Sequence, residues 1–455
     1  MNQRIWTCLL ALLFLLSPLS AFALGETTDD AVVAAAADTG VLSESEPVSQ
    51  TPRVTVTYDP EQQKTPDDLP AIACKAAYIA DPASGKVFFE KRAHEKMYPA
   101  STTKLLTALL VLEHCTPDET ATVSASAVSR VPAGYVTANL KAGETHTIRT
   151  LLQALLIPSA NEAAFVLAEH VGGSVEAFAD LCNKRAAELG CETLHFVNPN
   201  GIHDNNHFCS AYDLFLIAKE CRKYELFNEI VTMKSVTLPA TSVYPANDRT
   251  YQNTNQLLLA SSGYYLPACT GIKTGYTEEA GECLVSSTSG DHLDLICVVL
   301  GGTPGAGQRF SDSKKLLTYV NDHYAYQQIA DQQVPLAHLT VQKATGKTRE
   351  LDIVLQTDIA SVAPNGLTPD KVPVQMDLPQ ELKAPILQNQ VLGSVTYSVD
   401  GLIYTADLVA QHDVIKQPYW LYNLLVVLAA FVLFVVLRTV YLQQKRKRRR
   451  RRAKR

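Results

Sequence analysis

Tyr98-Pro99-Ala100-Ser101-Thr102-Thr103-Lys104 ends a loop and runs straight into Leu105-Leu106-Thr107-Ala108-Leu109-Leu110-Val111. Apolar residues recur there at helical spacing and predict a helix over residues 103–114. Ser101 then sits at the positive end of that helix, with Lys104 one turn on and facing the same side. A serine hydroxyl needs a neighbouring base to act as a nucleophile, and helix-terminal N–H groups can hold a developing oxyanion. The plainer alternative is that Ser101 only caps a helix. The Ser-x-x-Lys spacing cannot decide, because Ser311-Asp312-Ser313-Lys314 repeats it.

Working outward separates the two. Only the first is followed by Ser159-Ala160-Asn161 and then by Lys273-Thr274-Gly275. Alone, Ser159-Ala160-Asn161 reads as a helix cap before Glu162-Ala163-Ala164, and a Lys-Thr-Gly triplet arises by chance in such a chain about one time in ten. Three motifs in order carry more weight than any one. Around them, residues 76–80 and 86–89 flank an Asp-Pro-Ala-Ser-Gly turn and predict a hairpin. Helical spacing covers 148–157, 161–171 and 175–189, broken at Gly172-Gly173 and Gly190. Strand character returns at 283–287 and 293–300, after the segment 271–275 and before a helix near 313–320. Helices lying between sheet segments distant in sequence give an α+β fold. After Gln333, β-prone runs at 339–342, 351–355, 372–376, 395–399 and 402–408 predict a small all-β domain.

The 455-residue length suits two folded units plus targeting segments. Arg4, an apolar run over 5–16 and Ala21-Phe22-Ala23 make residues 1–23 a signal peptide. Residues 24–66 lack hydrophobic periodicity and are expected to form a flexible spacer. Residues 418–440 reach bilayer length as a transmembrane helix, followed by a basic tail, 441–455. Under the positive-inside tendency the tail is cytoplasmic and the bulk of the chain lies outside the cell membrane. The overall charge of −6 hides this asymmetry: residues 445–455 hold ten of the 40 Lys and Arg, and setting these aside with Arg4 and Arg438 leaves 28 basic against 46 acidic residues, net −18, for the exported part. Nucleic-acid binding by that part is excluded on charge. Nine cysteines follow the signal, without a C-x-x-C pair, and read as buried thiols or scattered disulfides. His203-Asp204-Asn205-Asn206-His207 offers two imidazoles and a carboxylate, but its loop composition points to loop ordering by His207 rather than a metal site. No cofactor is expected.

The three motifs resemble those of penicillin-recognising serine enzymes. The chain is similar to the D-alanyl-D-alanine carboxypeptidases of the penicillin-binding protein 5 type (peptidase family S11). The similarity runs from about residue 70 to the anchor through Tyr98-Pro99-Ala100-Ser101, Phe196-Val197-Asn198-Pro199-Asn200-Gly201, His207, Ser210-Ala211-Tyr212-Asp213 and Arg309. Ala160 stands where the family usually has Gly, and a full spanning helix replaces the amphipathic anchor of some members. The resemblance implies a β-lactamase/transpeptidase-like catalytic domain over 67–332, an antiparallel sheet with a helical region, and the β domain over 333–412. It further implies Ser101 as acyl-ester nucleophile, Lys104 as its proton acceptor, and Ser159 and Asn161 in proton relay and substrate positioning. Lys273, Thr274, Gly275, Tyr276 and Arg309 would bind substrate, with the Ser101 and Tyr276 N–H groups as oxyanion hole and Thr274 and Arg309 on the terminal carboxylate. Peptidoglycan stem peptides would be the substrate and β-lactams the inhibitors. For Lys104 to be neutral near pH 7, its pKa must fall by about 3 from the ordinary 10.4. Alternatives are a D,D-endopeptidase or transpeptidase, a β-lactamase, which lacks here a recognisable loop for a deacylating Glu, and a non-catalytic wall-binding protein, which should have lost a motif.

Overall fold

The computed structural model describes residues 53–63 and 69–452. The expected signal peptide, 1–23, lies outside the described residues, as does most of the expected spacer. One part of that spacer departs from expectation: Val54–Tyr58 is a strand, paired antiparallel with Leu402–Ala410. Its Val-Thr-Val-Thr-Tyr sequence is rich in residues that favour a pleated surface, and an available sheet edge completes its hydrogen bonds.

Five antiparallel strands form the first sheet, in the order Val87–Lys91, Ala76–Ala80, Leu295–Gly302, Gly281–Thr288, Cys269–Thr277. Successive side chains alternate between its faces. Tyr78, Val285 and Val298 pack into a helical layer, whereas Ile79, Leu284 and Cys297 pack with Phe310, Leu316 and Leu317 of the helix Gln308–His323. Because both faces are covered, these strands read as apolar runs rather than as alternation. Cys269–Thr277 is an edge strand, so one of its sides is open to a further partner.

The helix Lys104–His114 runs through the middle of the helical layer, with every side chain from Lys104 to Val111 buried. Such burial leaves no room for a polar face, which is why 105–111 contain no charged residue. Around it lie Ile148–Leu156, Asn161–Gly172, Val175–Glu188 and Ala211–Cys221. The last is nucleated by a reciprocal cap in which Ser210 and Asp213 each bond the other's backbone N–H.

A second sheet follows, ordered Ala337–Thr340, Glu350–Leu355, Leu402–Ala410, Val391–Val399, Val374–Asp377, over a separate core that includes Leu351, Ile353, Val395, Leu402 and Leu408. The β-rich part starts earlier than residue 333. The helix Gln308–His323 passes directly into the strand Tyr324–Ala330, which pairs with Ile359–Pro364. Lys86 and Asp400 join the two parts by an ion pair of 2.8 Å, with the lysine fully buried. All nine cysteines among the described residues are free thiols. Tyr419–Arg452 is one continuous helix, long and apolar enough over 419–451 to cross a membrane, and the basic segment expected as a tail extends it.

Candidate active site

Ala100 adopts a left-handed conformation, φ +48°, and starts a tight turn, Ala100–Thr103, that leads into the buried helix. Two hydroxyls pin this turn: Thr102 donates to the Pro99 carbonyl at 2.7 Å and Thr103 to the Ala100 carbonyl at 2.8 Å. Ser101 is thereby held half-exposed above a fully buried Lys104.

Lys104 Nζ lies 2.9 Å from Ser101 Oγ, 2.9 Å from Asn161 Oδ1 and 2.8 Å from the Asn200 carbonyl. Three acceptors satisfy an ammonium; a neutral amine keeps two of them and turns its lone pair to the serine. Burial, then the Lys273 ammonium, holds Lys104 well below the usual lysine range, with Glu162 opposing. Lys273 is itself pushed down to about 7 by burial and by Arg309. This combination of desolvation and like charge makes a lysine able to accept a proton near neutrality.

Ser159 occupies the turn between Ile148–Leu156 and Asn161–Gly172, nearly buried and left-handed at φ +69°. Such conformations cost energy in a non-glycine residue and concentrate at functional sites. Asn161 is fixed through the Val136 carbonyl, which accepts from its backbone N at 3.2 Å and its Nδ2 at 2.9 Å.

Lys273, Thr274 and Gly275 lie on the edge strand Cys269–Thr277, which passes close against the turn bearing Ser101. A Cβ on Gly275 would sit 2.9 Å from the Pro99 carbonyl oxygen and 3.1 Å from Ser101 N, so only glycine admits this approach. Arg309 Nη1 donates to the Gly275 carbonyl at 3.0 Å, while its buried Nε has no partner. Thr274 and Thr254 share a hydrogen bond of 2.6 Å. Tyr276 is 47% exposed at the mouth.

Ser101, Lys104 and Asn161 are thus in direct contact, with Lys273–Gly275 against the same turn and Ser159 two residues from Asn161. The other Ser-x-x-Lys is elsewhere: Ser311 donates to Gln308 of its own helix, and Asp312 accepts from Ala73 N and Cys74 N. Three contributors carried no role in the sequence reading. Asn200 offers its carbonyl to Lys104; Gly201, at φ +82°, packs so close that a Cβ would come 1.8 Å from the Ala100 oxygen. Glu162 is buried beside Asn161. The Asn-Pro-Asn-Gly run was visible, but a carbonyl's use as an acceptor leaves no trace in side-chain pattern. His207 orders the loop: Nδ1 accepts from Val197 N at 3.1 Å, leaving Nε2–H for Thr103 Oγ1 at 2.8 Å. Its burial pushes the pKa down to about 3, which keeps the ring neutral. Among the described residues, Cys115, Glu119 and His170 gather a thiol, a carboxylate and an imidazole, but beyond the other end of the Lys104 helix.

The family described as D-alanyl-D-alanine carboxypeptidase matches residues 61–304, and that described as penicillin-binding protein 5, C-terminal domain, matches 328–416. The D-alanyl-D-alanine carboxypeptidase DacF of Bacillus subtilis (strain 168) is 29% identical over 347 residues, spanning 75% of this chain and 86% of that protein. Penicillin-binding protein 5 from Haemophilus influenzae superposes with a TM-score of 0.60 at 26% identity, covering 77% of this chain and 99% of the other. The Streptomyces K15 DD-transpeptidase gives 0.51 at 30% identity, covering 55% and 97%.

Proposed function

The chain belongs to the D-alanyl-D-alanine carboxypeptidase family, and from that premise we propose that Ser101 is its acylated nucleophile and Lys104 the base that activates it. The protein is a serine-type D-Ala-D-Ala carboxypeptidase of cell-wall maturation, acting on peptidoglycan stem peptides and bound by β-lactams. Ser101 Oγ attacks the carbonyl between the two terminal D-alanines and passes its proton to neutral Lys104. The Ser101 and Tyr276 N–H groups hold the oxyanion. Collapse breaks the C–N bond, and the departing amine takes a proton relayed from Lys104 through Ser159, so that D-alanine leaves. Water then adds to the ester, and Ser101 recovers its proton as the shortened stem departs.

The free edge of Cys269–Thr277 pairs with the extended peptide, Asn161 holds its amide, and Thr274 with Arg309 bind the terminal carboxylate. Lys273 completes the substrate site and keeps Lys104 neutral by repulsion. The observation that carries the assignment is the 2.9 Å contact of a fully buried Lys104 with the half-exposed Ser101. D-alanine released from a synthetic pentapeptide stem tests it. Wild type should release it and Ser101→Ala should not; equal release by both sinks the assignment.

Residues 1–23 direct export, the catalytic unit expected over 67–332 ends with the helix Gln308–His323, and the β-rich part from Tyr324 to residue 412 is a stalk that holds it above the bilayer. Helix 418–440 crosses the membrane as a single pass with the catalytic unit outside. Tyr419, Trp420 and Tyr422 suit the outer interface, and Arg438 with the basic run suits the cytoplasmic face. Protease added to protoplasts should remove the catalytic unit and spare a C-terminal tag; loss of the tag reverses the orientation.

A further inference from the structure

Glu162 is 1% exposed and follows Asn161 on the same helix. One carboxylate oxygen, Oε1, accepts from Ala138 N at 2.7 Å and Leu140 N at 3.2 Å. It thereby fixes the segment whose Val136 carbonyl seats Asn161, the residue that accepts from Lys104. The other oxygen, Oε2, is buried without a partner. A buried carboxylate is costly unless a cation offsets it. The titratable groups facing this cluster come from three elements: Lys104 on the central helix, Lys273 on the edge strand, and the neutral Tyr251 phenol, which donates to the Ala138 carbonyl at 2.9 Å. Burial pushes the Glu162 carboxyl above its ordinary range, opposed by its backbone N–H donors and by the Lys104 ammonium.

We propose that Glu162 is a positioning residue of the acylation step: its buried carboxylate is the counter-charge that sets how readily Lys104 gives up its proton, and the same group holds the segment that seats Asn161. Two opposed charges then bracket Lys104. Lys273 favours the neutral amine that can accept the serine proton. Glu162 favours the ammonium, which can return a proton to the leaving group. A lysine under Lys273 alone would hold the accepted serine proton less well, and one under Glu162 alone would rest as the ammonium, with no lone pair to offer the serine.

The inference rests on Lys104 being the proton acceptor. Its test is the pH dependence of acylation by a fluorescent penicillin, measured on the full-length protein in detergent from pH 4 to 9 for wild type, Glu162→Gln and Glu162→Asp. Glutamine keeps an oxygen for Ala138 N and Leu140 N but removes the charge. Lys104 then loses its proton more easily, and the acid limb of the profile should move to lower pH by about one unit. At a pH on that limb, the variant should run about tenfold closer to its own plateau than wild type does. Aspartate withdraws the charge by one methylene and should move the limb the same way by less. A limb unmoved in either folded variant, or moved to higher pH, overturns the role of Glu162; aspartate carries the test if the glutamine variant does not fold. Failure of the premise looks different: Lys104→Met would acylate at the wild-type rate.

Discussion

Gly201→Ala should disable acylation from a position whose side chain touches no substrate. Gly201 sits at φ +82°, and a Cβ there would lie 1.8 Å from the Ala100 carbonyl oxygen. Ordinary C···O contacts are about 3.3 Å or longer, so the 198–201 loop and the nucleophile turn must separate by about 1.5 Å. Neither is free to move. The Ala100 oxygen accepts from Thr103, Thr103 is bonded to His207, and the adjacent Asn200 carbonyl accepts from Lys104. Whichever side yields, Lys104 or Ser101 shifts relative to the other. A misplacement of that size costs about 100-fold in rate. The left-handed backbone adds about 1–2 kcal/mol for alanine and overpacking about 1–3 kcal/mol, so stability should fall by about 3 kcal/mol, or 5–10 °C in Tm. Penicillin acylation kinetics and thermal unfolding read the two effects separately. Acylation within threefold of wild type in a variant with unchanged Tm would refute the rigid seating of the nucleophile turn on this loop.

Gly275→Ala places a Cβ 2.9 Å from the Pro99 oxygen and 3.1 Å from Ser101 N, and should cut acylation by more than tenfold while costing under about 2 kcal/mol in unfolding; unchanged acylation would contradict the close approach. Lys273→Met should abolish activity yet stabilise the fold in acid. Burial brings Lys273 down to about 7, so below pH 7 the folded state keeps a buried ammonium that the unfolded chain solvates, a penalty of the order of 4 kcal/mol that fades as pH rises from 7 towards 10.5. Denaturant unfolding at pH 6 and pH 10 checks this, and an advantage larger at pH 10 would reverse the sign. Asp400→Ala leaves the buried Lys86 ammonium with the residue-400 carbonyl but no counter-charge and should cost about 3 kcal/mol, whereas replacing both by apolar residues should be nearly neutral; a neutral single variant would remove this ion pair from the joint between the two sheets.

The fold was legible where periodicity was strong. The helix from Lys104, those from Ile148, Asn161 and Val175, and four strands of the first sheet stand at the expected places because apolar spacing and glycine breaks define them. Val54–Tyr58 was not, since an isolated strand among polar residues is decided by a sheet edge supplied some 350 residues later. Tyr324–Ala330 was missed because the helix before it runs on without a turn signal. Side chains of the site announced themselves through motif order, but what arranges them did not. The Asn200 and Val136 carbonyls, the left-handed Ser159 and Ala100, and the buried Glu162 act through backbone geometry and desolvation, which only the folded chain creates.

Intact-protein and peptide mass spectrometry after brief exposure to benzylpenicillin, with Lys104→Met run beside wild type, tests the central claim most directly. The account predicts one penicilloyl group per chain, on the peptide bearing Ser101, formed at least 100-fold more slowly in the Lys104→Met protein. An adduct on the peptide bearing Ser311 and Ser313, or acylation of Lys104→Met at the wild-type rate, would contradict it.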